Sequence, residues 1–210
     1  MNNTIISEVR KEAEILLKRA KGSHSIDHSE RVLKLAQHLA EAEKADREVV
    51  TLAALLHDIA KNDEDDSKGV LCHAKHGAEV ARKILSKYPL SKEKIDAIIY
   101  CISSHRFDSK EKPKTLEAKI IFDADKLDVL GAVGLARNFV FTGEGGLDKK
   151  FGGEENMFSN ENTTYRYYLS DLSKVKNHLF TLEGKRIAEE RTQFMQKFFE
   201  RMLKEAEGEI

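Results

Sequence analysis

Apolar residues recur at every third or fourth position along most of the chain, which is the spacing of an amphipathic α-helix. The spacing predicts a first helix over about residues 5–18. A continuous apolar run over residues 49–56 predicts a buried third helix with Asp46 as its N-cap. The second helix, between these two, presents an apolar face formed by Val32, Leu35, Ala36 and Leu39.

Helical patterns continue through the rest of the chain. Three further helices are predicted over about residues 73–87, 91–105 and 115–125. Residues 131–139 either continue the last of these or form a short separate helix, and two amphipathic helices are expected over about residues 163–206. Strand patterns are scarce and the chain has only two prolines, so we expect an all-α fold.

Two segments between the predicted helices lack a helical pattern. Residues 62–69 are strongly acidic and residues 143–162 are rich in Gly, Asn and Glu, so both are predicted to be loops, the second a mobile one. A chain of 210 residues can bury one substantial core, and nothing in its pattern demands a second. We therefore expect a single domain over residues 1–210, with its core motifs within residues 24–140.

The charges of the chain are almost balanced, because 35 Lys and Arg residues face 36 Asp and Glu residues, for a formal net charge of -1. Without a global basic field we expect neither a nucleic-acid partner nor a membrane surface as partner. No run reaches the ~18 apolar residues of a membrane span, and the N-terminus lacks a secretory pattern, so we expect a cytoplasmic protein. Cys72 and Cys101 are too few for a disulfide framework and lack metal-type spacing, and we expect both to be buried.

The most informative polar residues are His57 and Asp58, which end the apolar run of the third helix. Two polar side chains at the end of a buried helix must be hydrogen-bonded, ion-paired or metal-bound, because burying them unpaired costs free energy. Candidate partners are His28 on the second predicted helix and Asp125 on a later one. Two imidazoles and two carboxylates suit a divalent cation such as Mn, Fe, Ni, Mg or Co. Ligands from three helices thus predict a buried metal site inside a helical bundle.

Charged residues near these four candidates are placed to assist chemistry on a phosphoryl group. Arg31 lies one turn after the first candidate ligand and can orient a carboxylate or meet a substrate phosphate. Lys61, one turn after the His-Asp pair, is predicted to bind developing negative charge, although the helix dipole also favours a cation there. Asp128 either faces the cavity or pairs with Lys126 or Arg137.

The four candidate ligands, in their order along the chain, resemble the H…HD…D signature of the HD-domain metal-dependent phosphohydrolase superfamily, whose members are all-helical. The chain is also similar to the small single-domain YedJ/YpgQ-like branch of that superfamily, in residues 23–32, 55–61, 123–128, 131–137 and 181–188. The resemblance therefore covers nearly the whole chain.

The resemblance implies the following metal ligands: His28, His57, Asp58 and Asp125. Two-metal members of the superfamily carry further histidines on the next two helices, where this chain has His76 and His105. The resemblance thus allows a second ion bridged by Asp58; the alternatives are that both histidines contact phosphate or are simply half-buried. His73 is expected to be a surface or packing residue.

The resemblance implies a metal-dependent phosphohydrolase that acts on a small phosphorylated substrate. A nucleotide is the favoured substrate, which a nucleoside triphosphate pyrophosphohydrolase or a nucleotidase would cleave. In this interpretation Lys61, helped by Arg31 or Arg137, stabilises the charge in transfer. Asp128 or His76 moves protons.

Several alternatives remain open. Lys61 and Asn62 stand where relatives that cleave guanosine tetraphosphate have an acidic pair, which disfavours that activity. A single histidine at His105, where cyclic-dinucleotide phosphodiesterases have a pair, also disfavours that activity, and a cyclic-nucleotide-type phosphodiesterase is kept as an alternative. The others are an iron-dependent oxygenase, a catalytically idle nucleotide-binding module and a purely structural helical protein. Phe194 and Phe198 repeat at helical spacing and form either core or the face of a homodimer.

Overall fold

A computed structural model describes residues 3–18, 26–107, 112–143 and 163–210. The regular structure within these ranges is helical throughout, so the all-α prediction is confirmed. In chain order the elements are α1 (Asn3–Leu17), α2 (Ile26–Glu43), α3 (Arg47–Leu56), α4 (Lys61–Asp66), α5 (His73–Leu85), α6 (Lys92–Ser104), α7 (Leu116–Leu127), α8 (Gly131–Gly143), α9 (Thr163–Ser170), a 3-10 helix (Leu172–His178) and α10 (Leu182–Ala206).

The chain forms two compact units. The first contains residues 1–125 and 180–184, and the second contains residues 126–179 and 185–210. The expectation of a single domain stays a prediction. No helix in the described ranges is long and apolar enough to cross a membrane.

The first unit is built around α3. Every residue from 49 to 56 is buried, and α3 packs against α1, α2 and α6. The N-terminus of α3 begins as predicted, because the Asp46 carboxylate accepts hydrogen bonds from the backbone N–H groups of Glu48 (2.9 Å) and Val49 (3.1 Å). This buried helix carries the residues that follow it, His57 and Asp58, into the interior of the unit.

The loop predicted over residues 62–69 is partly wrong, because α4 occupies Lys61–Asp66. Side chains three and four residues apart on a helix are neighbours, and here the Lys61 ammonium pairs with Glu64 and lies 3.5 Å from the Asp65 carboxylate. Acidic side chains in the first turn also stabilise the helix, because they lie at the positive end of its dipole. The acidic composition concealed a helix whose Glu64 side chain points inward and is buried.

A buried carboxylate fixes α7 within the first unit. Asp123 is fully buried and accepts hydrogen bonds from the backbone N–H of Phe180 (3.0 Å), and from the backbone N–H and the hydroxyl of Thr181 (both 2.7 Å). Gly184 packs directly against this contact. A Cβ at this position would lie 2.5 Å from the Thr181 hydroxyl and 2.8 Å from the Asp123 carboxylate, so a larger residue would overlap both. These bonds hold the part of α7 that carries Asp125.

The second unit contains a cluster of aromatic side chains on α8, α9 and α10. Phe199 is buried, and its ring centroid lies within 6.4 Å of those of Phe139, Tyr165, Tyr168 and Phe198. Phe194 and Phe198 are 49% and 37% exposed, so the homodimer face stays a prediction. Where the sequence predicted two C-terminal helices, a 3-10 helix lies between α9 and α10. Residues 144–162, which hold nearly all of the second predicted loop, lie outside the described residues.

Candidate metal centre

His57 and Asp58 lie in a turn directly after α3, with 0% and 3% of their surface exposed. The Nδ1 atom of His57 lies 2.8 Å from the carbonyl oxygen of Ala54, one turn earlier in the same helix. Although the two residues are neighbours in the chain, a carboxylate oxygen of Asp58 lies 3.6 Å from the Nε2 atom of His57, so both side chains reach the same part of the interior.

One group of donor atoms comes from α2, the turn after α3, and α7. It consists of His28, His57 and Asp125. The Nε2 atoms of His28 and His57 are 3.3 Å apart, and a carboxylate oxygen of Asp125 lies 3.4 Å from the Nε2 of His28. The Oδ2 atom of Asp58 lies 3.7 Å and 3.6 Å from the same two nitrogens. Four side chains from three elements thus converge, and their role as metal ligands stays a prediction.

A second group lies on the other side of Asp58. Its Oδ1 atom is 3.5 Å from the Nε2 atom of His73 and 3.5 Å from that of His105. The Nε2 atoms of these two histidines are 3.3 Å apart. Each oxygen of the Asp58 carboxylate therefore faces a different group of imidazole nitrogens.

The hydrogen bonds of the imidazole rings assign their protons. The Nδ1 atom of His105 lies 2.6 Å from the carbonyl oxygen of Ile102, and that of His73 lies 2.9 Å from the Glu64 carboxylate. Because these acceptors, like the carbonyl facing His57, require a proton on Nδ1, the Nε2 atoms of His57, His73 and His105 carry lone pairs. Complete burial lowers the pKa of His57 from 6.5 to about 4, so its ring is neutral at neutral pH.

Two unprotonated Nε2 atoms 3.3 Å apart, as in His73 and His105, can share either a proton or a metal ion. Two ligands about 2.1 Å from one ion lie about 3.0–3.5 Å apart, which is close to the separations of these donor atoms. Imidazole nitrogens mixed with carboxylate oxygens suit divalent Mn, Fe, Co, Ni or Zn. The residues present therefore fit one divalent ion in each group.

An ionic cluster adjoins the second group, with the buried carboxylate of Glu64 at its centre. One carboxylate oxygen accepts from His73 and Lys61, and the other lies 2.9 Å from a guanidinium nitrogen of Arg106. Burial opposes ionisation of Glu64, but the hydrogen bond from Lys61 and the charges around it lower the pKa of Glu64 to about 2. Burial also disfavours the charge on Lys61, yet its pKa is raised because Glu64 compensates that charge.

The prediction that His76 belongs to the second group is corrected, because His73 takes that place beside Asp58 and His105. His73, expected to be a surface or packing residue, contributes to the second group, whereas the Nε2 atom of His76 lies 3.3 Å from the Asp63 carboxylate and outside both groups. The two histidines are three residues apart on α5, and spacing along the chain alone does not distinguish them. The signal in the sequence is the spacing of Lys61 and Glu64, three residues apart, which is typical of an ion pair on a helix. That helix, α4, supplies the carboxylate that contacts His73.

The remaining predicted residues have the following places. Lys61 is held by the Glu64 cluster, and Arg31 is half-buried on α2. Asp128 and Arg137 belong to the second unit, where a guanidinium nitrogen lies 2.6 Å from the carboxylate, so Asp128 takes the paired alternative. Their roles and that of Arg31 in a reaction stay predictions.

The sequence pattern missed Glu64 and Arg106 as neighbours of the site. It also overstated the burial of Cys72, which is partly exposed, whereas Cys101 is buried as expected. A guanidinium nitrogen of Arg106 lies 3.6 Å from the Cys72 sulfur.

Comparisons with known proteins show which proteins this chain is similar to. The family model for the HD domain matches residues 25–130. The protein YpgQ of Bacillus subtilis is 30% identical over 205 residues, which cover 96% of this chain and 93% of YpgQ. A crystal structure of YpgQ in complex with ADP has a TM-score of 0.74 and 26% identity, covering 96% of this chain and 95% of that one. An HD-superfamily hydrolase from Bacillus thuringiensis has a TM-score of 0.75 and 26% identity, with 99% of each chain covered.

Proposed function

The chain belongs to the HD domain family of hydrolases, and on that premise we propose that it is a metal-dependent phosphohydrolase of small phosphorylated molecules. The observation that carries the proposal is the position of Asp58, whose two carboxylate oxygens face two groups of imidazole nitrogens. Such an arrangement is suited to holding two divalent ions, one on each side of a shared carboxylate.

Divalent ions bound by these six side chains would lower the pKa of a water molecule and polarise a phosphoryl oxygen. The chain's own part is to keep the donor atoms in place. The carbonyl oxygens of Ala54 and Ile102 hold the Nδ1 protons of His57 and His105, which keeps both Nε2 atoms available. Burial of Asp58 excludes bulk water and strengthens every charge interaction in the site.

Cations near the second group support a phosphorylated substrate. Lys61 and Arg106 both contact Glu64, and 18% and 36% of their side chains are exposed. Their charges would offset those of a phosphate group approaching the ions. Phosphate contact by Arg31 belongs to the same proposal.

A nucleotide is the substrate class that we propose. The relative YpgQ has been crystallised with ADP, and this chain covers nearly all of that protein. A nucleoside triphosphate pyrophosphohydrolase would release pyrophosphate, and a nucleotidase acting on monophosphates would release orthophosphate.

Metal content and product analysis test the proposal together. The purified protein is examined by elemental analysis and then incubated with nucleotides in the presence of Mn, Mg, Co or Ni, with orthophosphate and pyrophosphate both recorded. We expect bound divalent metal and release of one of the two products, lost in His57→Ala and Asp58→Ala. Bound metal without release of either product under every metal would contradict the proposed hydrolysis and favour an idle nucleotide-binding module.

A second candidate function is an iron-dependent oxygenase. It is favoured by the imidazole-rich donor set, because His73 and His105 complete a group able to hold a second redox-active ion. Oxygen-dependent loss of an organic substrate by the iron-loaded protein would support it. Undiminished anaerobic phosphate release with Mn would count against it.

A further inference from the structure

We propose that Glu64 is the positioning residue of the second donor group, which fixes the His73 ring so that its Nε2 atom faces Asp58. The inference rests on the proposed two-ion centre. In this inference α4 serves to hold the Glu64 carboxylate beside His73.

The contacts of Glu64 are all with hydrogen-bond donors. Its side chain is 9% exposed, which is unusual for a glutamate. The Nδ1 atom of His73 lies 2.9 Å from one oxygen, which also pairs with Lys61, and the backbone nitrogen of His73 lies 3.5 Å from the other. Arg106 binds that second oxygen at 2.9 Å. Both carboxylate oxygens therefore act as acceptors, and the contacts keep the carboxylate in one orientation.

A comparison with His57 and His105 shows why the Nδ1 atom of His73 needs an acceptor from another helix. His57 and His105 each follow the last turn of a helix, and their Nδ1 atoms meet a carbonyl oxygen three residues earlier in that helix. His73 is instead the first residue of α5, so no turn of its own helix precedes it. An acceptor must come from another element, and α4 supplies Glu64.

The two cations on Glu64 complete the support. Lys61 lies on the same helix, and Arg106 lies in the segment directly after α6, so the carboxylate is held from two elements. A neutral amide in place of the carboxylate would turn an N–H group toward one set of these donors. Glu64→Gln thus disturbs the orientation of His73 while nearly preserving the volume of the side chain.

Binding of Mn²⁺ tests the inference in the full-length protein. Wild type, Glu64→Gln and Asp65→Asn are titrated with Mn²⁺, with binding followed by electron paramagnetic resonance and bound metal counted by elemental analysis. Asp65 is the matched control, because it lies on α4 and its carboxylate is 3.5 Å from Lys61, but its side chain is 66% exposed.

We expect wild type and Asp65→Asn to bind two Mn²⁺ ions per chain. Glu64→Gln should bind one ion as wild type does and the other about 10- to 100-fold more weakly, the usual effect of losing a partner of a metal-bound histidine. Nitrogen-15 spectra of the metal-free variant should show the His73 proton shared between Nδ1 and Nε2, a change that loss of stability alone would not produce.

Two results overturn the inference while leaving the proposed centre intact: Glu64→Gln binds both ions with wild-type affinity, or it loses both equally. A wild-type protein that binds fewer than two ions overturns the two-ion centre and the inference with it. If Glu64→Gln does not fold, Glu64→Asp replaces it, since this variant keeps the charge but withdraws the carboxylate from His73. Unchanged affinity for both ions in Glu64→Asp likewise overturns the inference.

Discussion

Acid should destabilise the metal-free protein because folding buries the imidazole of His57 in its neutral form. Burial lowers the pKa of His57 to about 4, and the nearby Asp58 carboxylate offsets this only in part. In the unfolded chain the same group titrates near pH 6.5. Metal must be absent in this experiment, because a bound ion would compete with the proton for the ring.

The sign and size follow from the two pKa values. Between pH 6.5 and about 4 the unfolded chain binds a proton at His57 that the folded protein does not bind. The free energy of unfolding therefore falls as the pH is lowered through this range. The full contribution, present above pH 6.5 and lost below about pH 4, is about 3 kcal/mol.

Urea unfolding in EDTA at several pH values between about 7.5 and 4.5 measures this effect. His57→Asn is the test variant, since its amide can donate to the Ala54 carbonyl but does not titrate. Wild type should lose about 2 kcal/mol more than His57→Asn over this range. His178→Asn, at an exposed histidine, is the control and should follow wild type. Parallel pH profiles for wild type and His57→Asn would refute the burial of a neutral ring.

Three shorter predictions concern packing, ligands and a helix cap. Gly184→Ala should lower the free energy of unfolding by about 2 kcal/mol, because the added Cβ would overlap the Thr181 and Asp123 side chains. Gly143→Ala is the control and should leave it unchanged, because no described atom lies within 4 Å of the added Cβ. Urea unfolding measures both variants. His73→Ala should lose one of the two bound Mn²⁺ ions, whereas His76→Ala should keep both. Elemental analysis counts the ions, and the same loss in both variants would contradict the donor grouping. Asp46→Ala should cost about 1 kcal/mol in the same unfolding assay, and no change would contradict the cap.

The helices were predictable where the apolar pattern was strong. The buried run over residues 49–56 and its Asp46 cap became α3 with the expected boundaries. The convergence of the four candidate ligands was predictable because His57 and Asp58 end that buried run and so required partners in the interior. The positions of these residues along the chain were sufficient to find them.

The second group was only partly predictable, for a physical reason. Choosing between His73 and His76 depends on where α5 begins and on the partner offered by Glu64, which comes from a short helix held by local ion pairs. Such pairs contribute only tenths of a kcal/mol each and leave a weak signal in an acidic segment. The roles of Asp128 and Arg137 depend on how distant parts of the chain meet, which periodicity does not encode.

Anomalous diffraction from crystals of the Mn²⁺-loaded protein tests the central claim most directly. The account predicts two peaks, one among His28, His57 and Asp125 and one between His73 and His105, with Asp58 contributing one oxygen to each. A single peak, or a second ion bound by His76, would contradict the assignment of Asp58 as the shared ligand of two ions.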